Sequence, residues 1–198
     1  EDVPKLREFV QPFGTQALAQ RRDPAVFVPA GNACVLVHHA HRAEFPHFKS
    51  TPAFAMAIAE PGSANGFFRK NLDIPAPGAG EVVIRHAAIG VNFVDVYMRS
   101  GLYPWPVEQD LVTGAEAAGE IHSAGEGVTG FTTGDRVAYT LRNGAYATHR
   151  RIAAAHVVPL PDGIADETAA AAMLKGLTAH YLIHDSYAAQ PGDTVLVH

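Results

Sequence analysis

The sequence is short of sulfur, of tryptophan and of positive charge. One cysteine, Cys34, stands among 198 residues, so no internal disulfide can form. That favours a reducing compartment over secretion, and the cytoplasm is the expected location. Lys and Arg number 15 against 20 Asp and Glu, a formal charge of −5. Nucleic-acid binding draws on clustered basic side chains, and this acidic balance argues against it. No apolar run reaches the roughly 20 residues of a membrane-spanning helix. The longest near the front, residues 25–37, is broken by Pro29, Gly31 and Asn32. Arg21-Arg22 ahead of it does not make that stretch an export signal. Glycine, at 18, and proline, at 14, are plentiful, and 47% of residues are hydrophobic. That apolar share is enough for a core and excludes a disordered or collagen-like polymer.

The prolines and glycines divide the chain. Residues 1–53 carry Pro4, Pro12, Pro24, Pro29, Pro46 and Pro52. Each removes a donor and restricts its predecessor, so only Thr15 to Arg22 offers a couple of helical turns. An irregular extension is expected there. From Phe54 the pattern becomes orderly. Phe54–Ala59 and Glu81–Val91 read as strands, and Asn92–Ser100 as a short helix with Asn92 as cap and Gly101 as stop. Gly119–Ala124, Asp135–Thr140 and Gly144–Arg150 are further strands between Gly turns, the texture of a small antiparallel barrel. Past Pro161-Asp162-Gly163, Asp166 is a candidate cap for a helix over 167–175. Gly176 separates it from a second helix running to about Tyr187. The last residues, Thr194 to His198, are apolar on both faces, as in a buried parallel strand.

Three constellations invite chemistry. Gly114-Ala-Glu-Ala-Ala-Gly119-Glu120 has phosphate-loop glycine spacing, but Glu120 stands where a lysine must hold phosphate, so turn glycines between barrel strands are the better reading. His38, His39, His41 and His47 fall within ten residues. They lie in a segment without pattern, and no metal site is expected. The third set is Asn92, Asp95, Tyr97 and Tyr103, with Glu116 further on. Helix capping and ring packing account for it on composition alone.

A resemblance shifts that balance. Residues 54–198 resemble the N-terminal part of zinc-independent NADPH:quinone oxidoreductases, the zeta-crystallin-like branch of the medium-chain dehydrogenase/reductase superfamily. The motifs, in order, are Pro77-Gly-Ala-Gly-Glu-Val82, Ile89-Gly-Val-Asn-Phe-Val-Asp-Val-Tyr-Met-Arg-Ser-Gly-Leu-Tyr103 and Gly114-Ala-Glu-Ala-Ala-Gly119. Gly134-Asp-Arg-Val137, Gly144-Ala-Tyr146, Leu174-Lys-Gly-Leu-Thr178 and Pro191-Gly-Asp-Thr-Val-Leu-Val-His198 follow. The second and the sixth are the motifs specific to that branch.

The resemblance implies a mainly β fold with short helices: a GroES-like barrel over residues 54–190, then the first strand of a Rossmann domain over 191–198. It implies hydride transfer from NADPH to a quinone or similar electrophile, in a cleft between those domains. Asn92, Phe93 and Asp95 would line the nicotinamide side of the cleft, Thr178 would approach the nicotinamide or ribose, and Tyr97 and Tyr103 would shape the quinone site; Asp95, Tyr97 and Tyr103 would be the catalytic set. Zinc-dependent relatives place Cys at the position of Asn92 and His-Glu at Ala115-Glu116, so zinc has no ligand set here. Complete members of the family are expected to be homodimers. The Gly-rich turn that holds the pyrophosphate is missing from these 198 residues, so this chain alone is expected to be inactive and to show no saturable NADPH binding. A zinc-independent enoyl or alkenal reductase, or a non-catalytic barrel module, are the alternatives.

Overall fold

The computed structural model describes residues 25–30, 33–38 and 50–196. Ten strands and two helices follow in chain order: β1 (Ala25–Ala30), β2 (Ala33–His38), β3 (Ser50–Ile58), β4 (Phe67–Pro75) and β5 (Glu81–Gly90). Then come α1 (Phe93–Ser100), β6 (Leu111–Val112), β7 (Glu116–Ala124), β8 (Arg136–Thr140), β9 (His149–Ala153), β10 (Val158–Pro159) and α2 (Asp166–Tyr181). The fold is mainly β, as expected, with every named strand pair antiparallel.

β5 is the spine. β7 pairs with it from Val82 to Gly90, while β9 takes Glu81–Arg85 and β2 takes Ala88–Gly90. A strand hydrogen-bonded on both sides lies inside the fold, and Val82, Val83, Ile84, Ala88 and Ile89 are all buried. The second sheet has the order β4-β3-β6. Residues 145–148 stitch the two sheets together: Met56 N donates to Tyr146 O, Thr148 N to Phe54 O, and His86 N to Thr148 O. Val82, Ile84, Ile121, Val137 and Tyr139 fill the space between, with Tyr146 closing it.

α2 packs outside this barrel on a seam of small residues. Ala169 and Ala170 meet Ala88, Ala118 and Ala138. Alanine on both sides lets the helix axis approach the sheet closely. At the far end of that seam a Cβ on Gly90 would collide with Ala170 O and with the Glu116 carboxylate. Gly119, inside the phosphate-loop-like run, serves packing too, because a Cβ there would strike the Arg85 backbone.

Several sequence expectations need correction. The segment expected to be irregular holds two strands, β1 and β2, whose register pairs Ala30 with Ala33 across Gly31-Asn32. Two residues of that composition between apolar runs are a hairpin signal. Pro29 does not veto it because β1 is an edge strand, where a missing N–H is tolerated. Thr15–Arg22, His39, His41 and His47 lie outside the described residues, and His38 ends β2. β4, which the sequence reading leaves unassigned, is an edge strand of the second sheet. The strand expected over 144–150 lies at His149–Ala153 instead, since Asn143 and Gly144 both take positive φ and residues 145–148 are spent on the stitching loop. α2 begins at Asp166, one residue earlier than expected and without a side-chain cap at Ala165, and runs straight through Gly176 before a π-helical turn at Leu182–Ser186. One glycine costs a helix only about 1 kcal/mol, and the flanking Leu, Lys and Ala outweigh it. The expected terminal strand does not form over residues 194–196, where Val195 and Leu196 lie exposed with no strand among the described residues beside them. No helix of the described residues is long and apolar enough to cross a membrane.

Candidate active site

The Asn92–Tyr103 stretch becomes α1 for local reasons. Asn92 is extended and forms a capping box with Asp95, whose Oδ2 accepts the Asn92 N–H at 2.9 Å. Gly101 ends the helix in the left-handed conformation, φ 80°. Residues 93 and 97 are one turn apart and share a face. The Phe93 and Tyr97 rings stack at 6.4 Å, and Tyr103 sets its edge against Tyr97 at 5.5 Å. All three rings are exposed, Phe93 at 63%. They form an aromatic wall on the surface of α1.

At the N-terminal end of α1, where Asn92 precedes Phe93, lies a polar cluster. Glu116 is fully buried at the start of β7, yet both its oxygens are satisfied. Oε1 accepts from Asn92 Nδ2 at 2.8 Å and from Lys175 Nζ at 2.8 Å, and Oε2 accepts from Leu174 N at 2.6 Å. Lys175 Nζ donates as well to Asn92 Oδ1 at 2.7 Å. The three side chains therefore close a triangle, and its charges fix the Asn92 amide. Flipping that amide would set its NH2 against the ammonium and its oxygen against the carboxylate. The triangle joins three parts of the fold, α1, β7 and α2.

Asp95 belongs to the buried side of this site. Its Oδ2 also accepts from Tyr146 OH at 3.1 Å. Burial pushes its carboxyl up to about 6, against the pull of those hydrogen bonds. Burial and the neighbouring carboxylate push the Tyr146 phenol well above its usual range. Thr178 lies one turn beyond Lys175 on α2, its hydroxyl donating to Leu174 O at 2.7 Å. The structure thus brings Asn92, Phe93, Asp95, Tyr97 and Tyr103 into one neighbourhood, with Asp95 facing inward and the rings outward. Lys175 is the residue that the sequence reading misses. It sits inside the Leu174–Thr178 motif, but nothing in local spacing says that it reaches Glu116, 59 positions away.

Another buried titratable group is His86. Ala147 O can only accept, so His86 Nδ1 carries the proton at 2.7 Å, and Nε2 accepts from Tyr139 OH at 2.9 Å. Burial pulls this imidazole down to about 3. Asp95 and His86 give opposite pH dependences. Asp95, raised from 3.8, contributes stability below 3.8 and loses it as pH rises through about 6. His86, lowered from 6.5, contributes stability above 6.5 and loses it as pH falls toward 3. Asp95→Asn is therefore expected to make stability climb more steeply with pH between about 4 and 6, and His86→Gln to flatten or reverse that climb. Urea midpoints measured across this window test it. Parallel curves for both variants and the parent would contradict it.

Comparison with known proteins agrees with this architecture. The profile of the alcohol dehydrogenase GroES-like domain matches residues 78–162. A quinone oxidoreductase of Pseudomonas aeruginosa is 50% identical over 123 residues, covering 62% of this chain and 38% of that protein. A 2-haloacrylate reductase of a Burkholderia species is 40% identical over 150 residues, 73% of this chain and 45% of that one. The crystal structure of Escherichia coli quinone oxidoreductase complexed with NADPH superposes with a TM-score of 0.68 at 36% identity, covering 71% of this chain and 43% of that one. The chain thus spans less than half the length of these relatives. The chain therefore carries an alcohol dehydrogenase GroES-like domain, and over that part it is similar to quinone oxidoreductases of the medium-chain dehydrogenase/reductase superfamily.

Proposed function

We propose that this chain is the substrate-side barrel of an NADPH-dependent quinone reductase. The observation that carries the reading is the juxtaposition of an exposed aromatic wall, Phe93–Tyr97–Tyr103, with the charge-fixed amide of Asn92. A planar aromatic acceptor gains from offset or edge contact with rings, and its oxygens need donors in fixed positions. The residues present suit the reacting end of a nicotinamide: Phe93 is an exposed ring beside a rigid amide, and Thr178 keeps acceptor capacity one turn from Lys175. Bound there, the reduced nicotinamide would supply the hydride. Asn92 and Thr178 would orient it, Phe93 would lie against its ring, and Tyr97 and Tyr103 would flank the acceptor and keep water from it. Asp95 would serve by holding the first turn of α1 and the Tyr146 hydroxyl in place. The cytoplasm remains the proposed location.

The similarity to a 2-haloacrylate reductase supports a second reading, in which the acceptor is a conjugated carbonyl rather than a quinone. One assay separates the two. Residues 50–196 are joined to the remaining part of the Pseudomonas aeruginosa relative, and NADPH oxidation is followed with 1,4-naphthoquinone, a 2-alkenal and 2-chloroacrylate. The quinone is expected to have the highest kcat/KM, by about tenfold or more. Preference for either of the other two would move the assignment to the enoyl-type reductases. A folded chimera without turnover on any of them would leave the non-catalytic module as the better reading.

A further inference from the structure

Within the triangle, Glu116 and Asn92 are shielded, at 0% and 9% exposure, while the Lys175 side chain is 43% exposed. An ammonium has three N–H donors. Two go to Asn92 Oδ1 and Glu116 Oε1, both on the buried side. The third has no partner among the described residues. Glu116 sits behind the ammonium with both oxygens occupied and cannot swing out to cap it. Lys175 is therefore a cation tethered at a fixed point, with one donor left over, in the neighbourhood where Asn92 leads into the aromatic wall.

We infer that Lys175 is an oxyanion donor: its remaining N–H recognises a phenolate-type oxygen on a ring held by Phe93, Tyr97 and Tyr103. Hydride addition to a quinone leaves negative charge on such an oxygen. A preorganised cation aimed at that position stabilises the charged state more than the neutral one. The tether matters as much as the charge, because a free lysine must be ordered on binding, whereas this one is held by two hydrogen bonds. The inference rests on the reductase reading for its biological meaning, but the anion site can be tested without cofactor or turnover.

The probe is 4-nitrophenolate, fully ionised at pH 8.5, compared with 4-nitroanisole, which has the same ring without the charge. Both are titrated into the 198-residue chain and followed by the probe's absorbance and by the aromatic side-chain resonances. The parent is expected to bind the phenolate about tenfold more tightly than the ether. Lys175→Met should abolish that preference, and Lys175→Arg should retain most of it. Tyr97→Leu should weaken both probes alike. Circular dichroism reports whether each variant is folded, and if Lys175→Met is not, Lys175→Gln takes its place. A folded Met or Gln variant that keeps the phenolate preference, or a parent that shows none, would overturn the assignment. The two proposals fail separately. Lys175-dependent phenolate binding beside an inactive chimera keeps the anion site and removes the reductase reading. Quinone turnover by the chimera with no Lys175-dependent phenolate binding does the reverse.

Discussion

Gly90→Ala is expected to cost about 3 kcal/mol of folding stability, far more than one methyl group at a surface position. The reason is space, since Gly90 does not take a positive φ. Its Cβ would meet Ala170 O on α2 and the Glu116 carboxylate at once. Neither neighbour can yield cheaply. Ala170 is fully buried within the alanine seam, and Glu116 holds Asn92, Leu174 and Lys175 through its two oxygens. Relief requires α2 to lift from β5, which would draw Lys175 away from Asn92. Gly176→Ala is the matched control: its Cβ meets nothing within 4 Å and lies within a helix, so it should gain about 0.5–1 kcal/mol. Equilibrium unfolding in urea reads both. Equal effects at the two glycines would mean that the packing of α2 on the barrel is wrong.

The contrast between these glycines shows where the sequence was readable. Gly101 and the Asn92–Asp95 pair announce α1 because capping is local, carried by residues three positions apart and by one left-handed glycine. Gly176 misleads because a breaker is judged against its neighbours, and here an Ala-rich, Leu-containing helix wins. Gly90 gives no local sign of its purpose, since the atoms it makes room for lie 26 and 80 positions further along. The same distance hides the triangle. Glu116 draws notice as an acidic residue in an apolar run, and Lys175 belongs to a recognisable motif, but only the fold closes the gap between them. β1 and β2 stay hidden for another reason: prolines counted along the chain outweigh Gly31-Asn32 until the sheet shows that β1 is an edge. Asp95, Tyr97 and Tyr103 stand near one another along the chain, yet the sequence cannot say that the first faces inward and the other two outward.

The triangle of Asn92, Glu116 and Lys175 is the centre of this account, because it both docks α2 on the barrel and prepares the site. Its members should be strongly interdependent. Lys175→Met leaves a buried carboxylate with Asn92 and Leu174 as its remaining donors, and a cost of about 1–3 kcal/mol is expected, moderated because water reaches the vacated position. Glu116→Gln removes the buried charge, and one arm of its amide must then face a donor it cannot accept from, Leu174 N–H or the ammonium and Asn92 amide, at a similar cost. The double variant removes cation and anion together and should be less damaging than the sum of the two, with a coupling of about 1–3 kcal/mol. That double-mutant cycle, read by urea unfolding of the 198-residue chain, is the most direct measurement. A coupling of this size is the predicted result. Additive effects, with the Lys175 and Glu116 substitutions indifferent to one another, would contradict the triangle and the site built upon it.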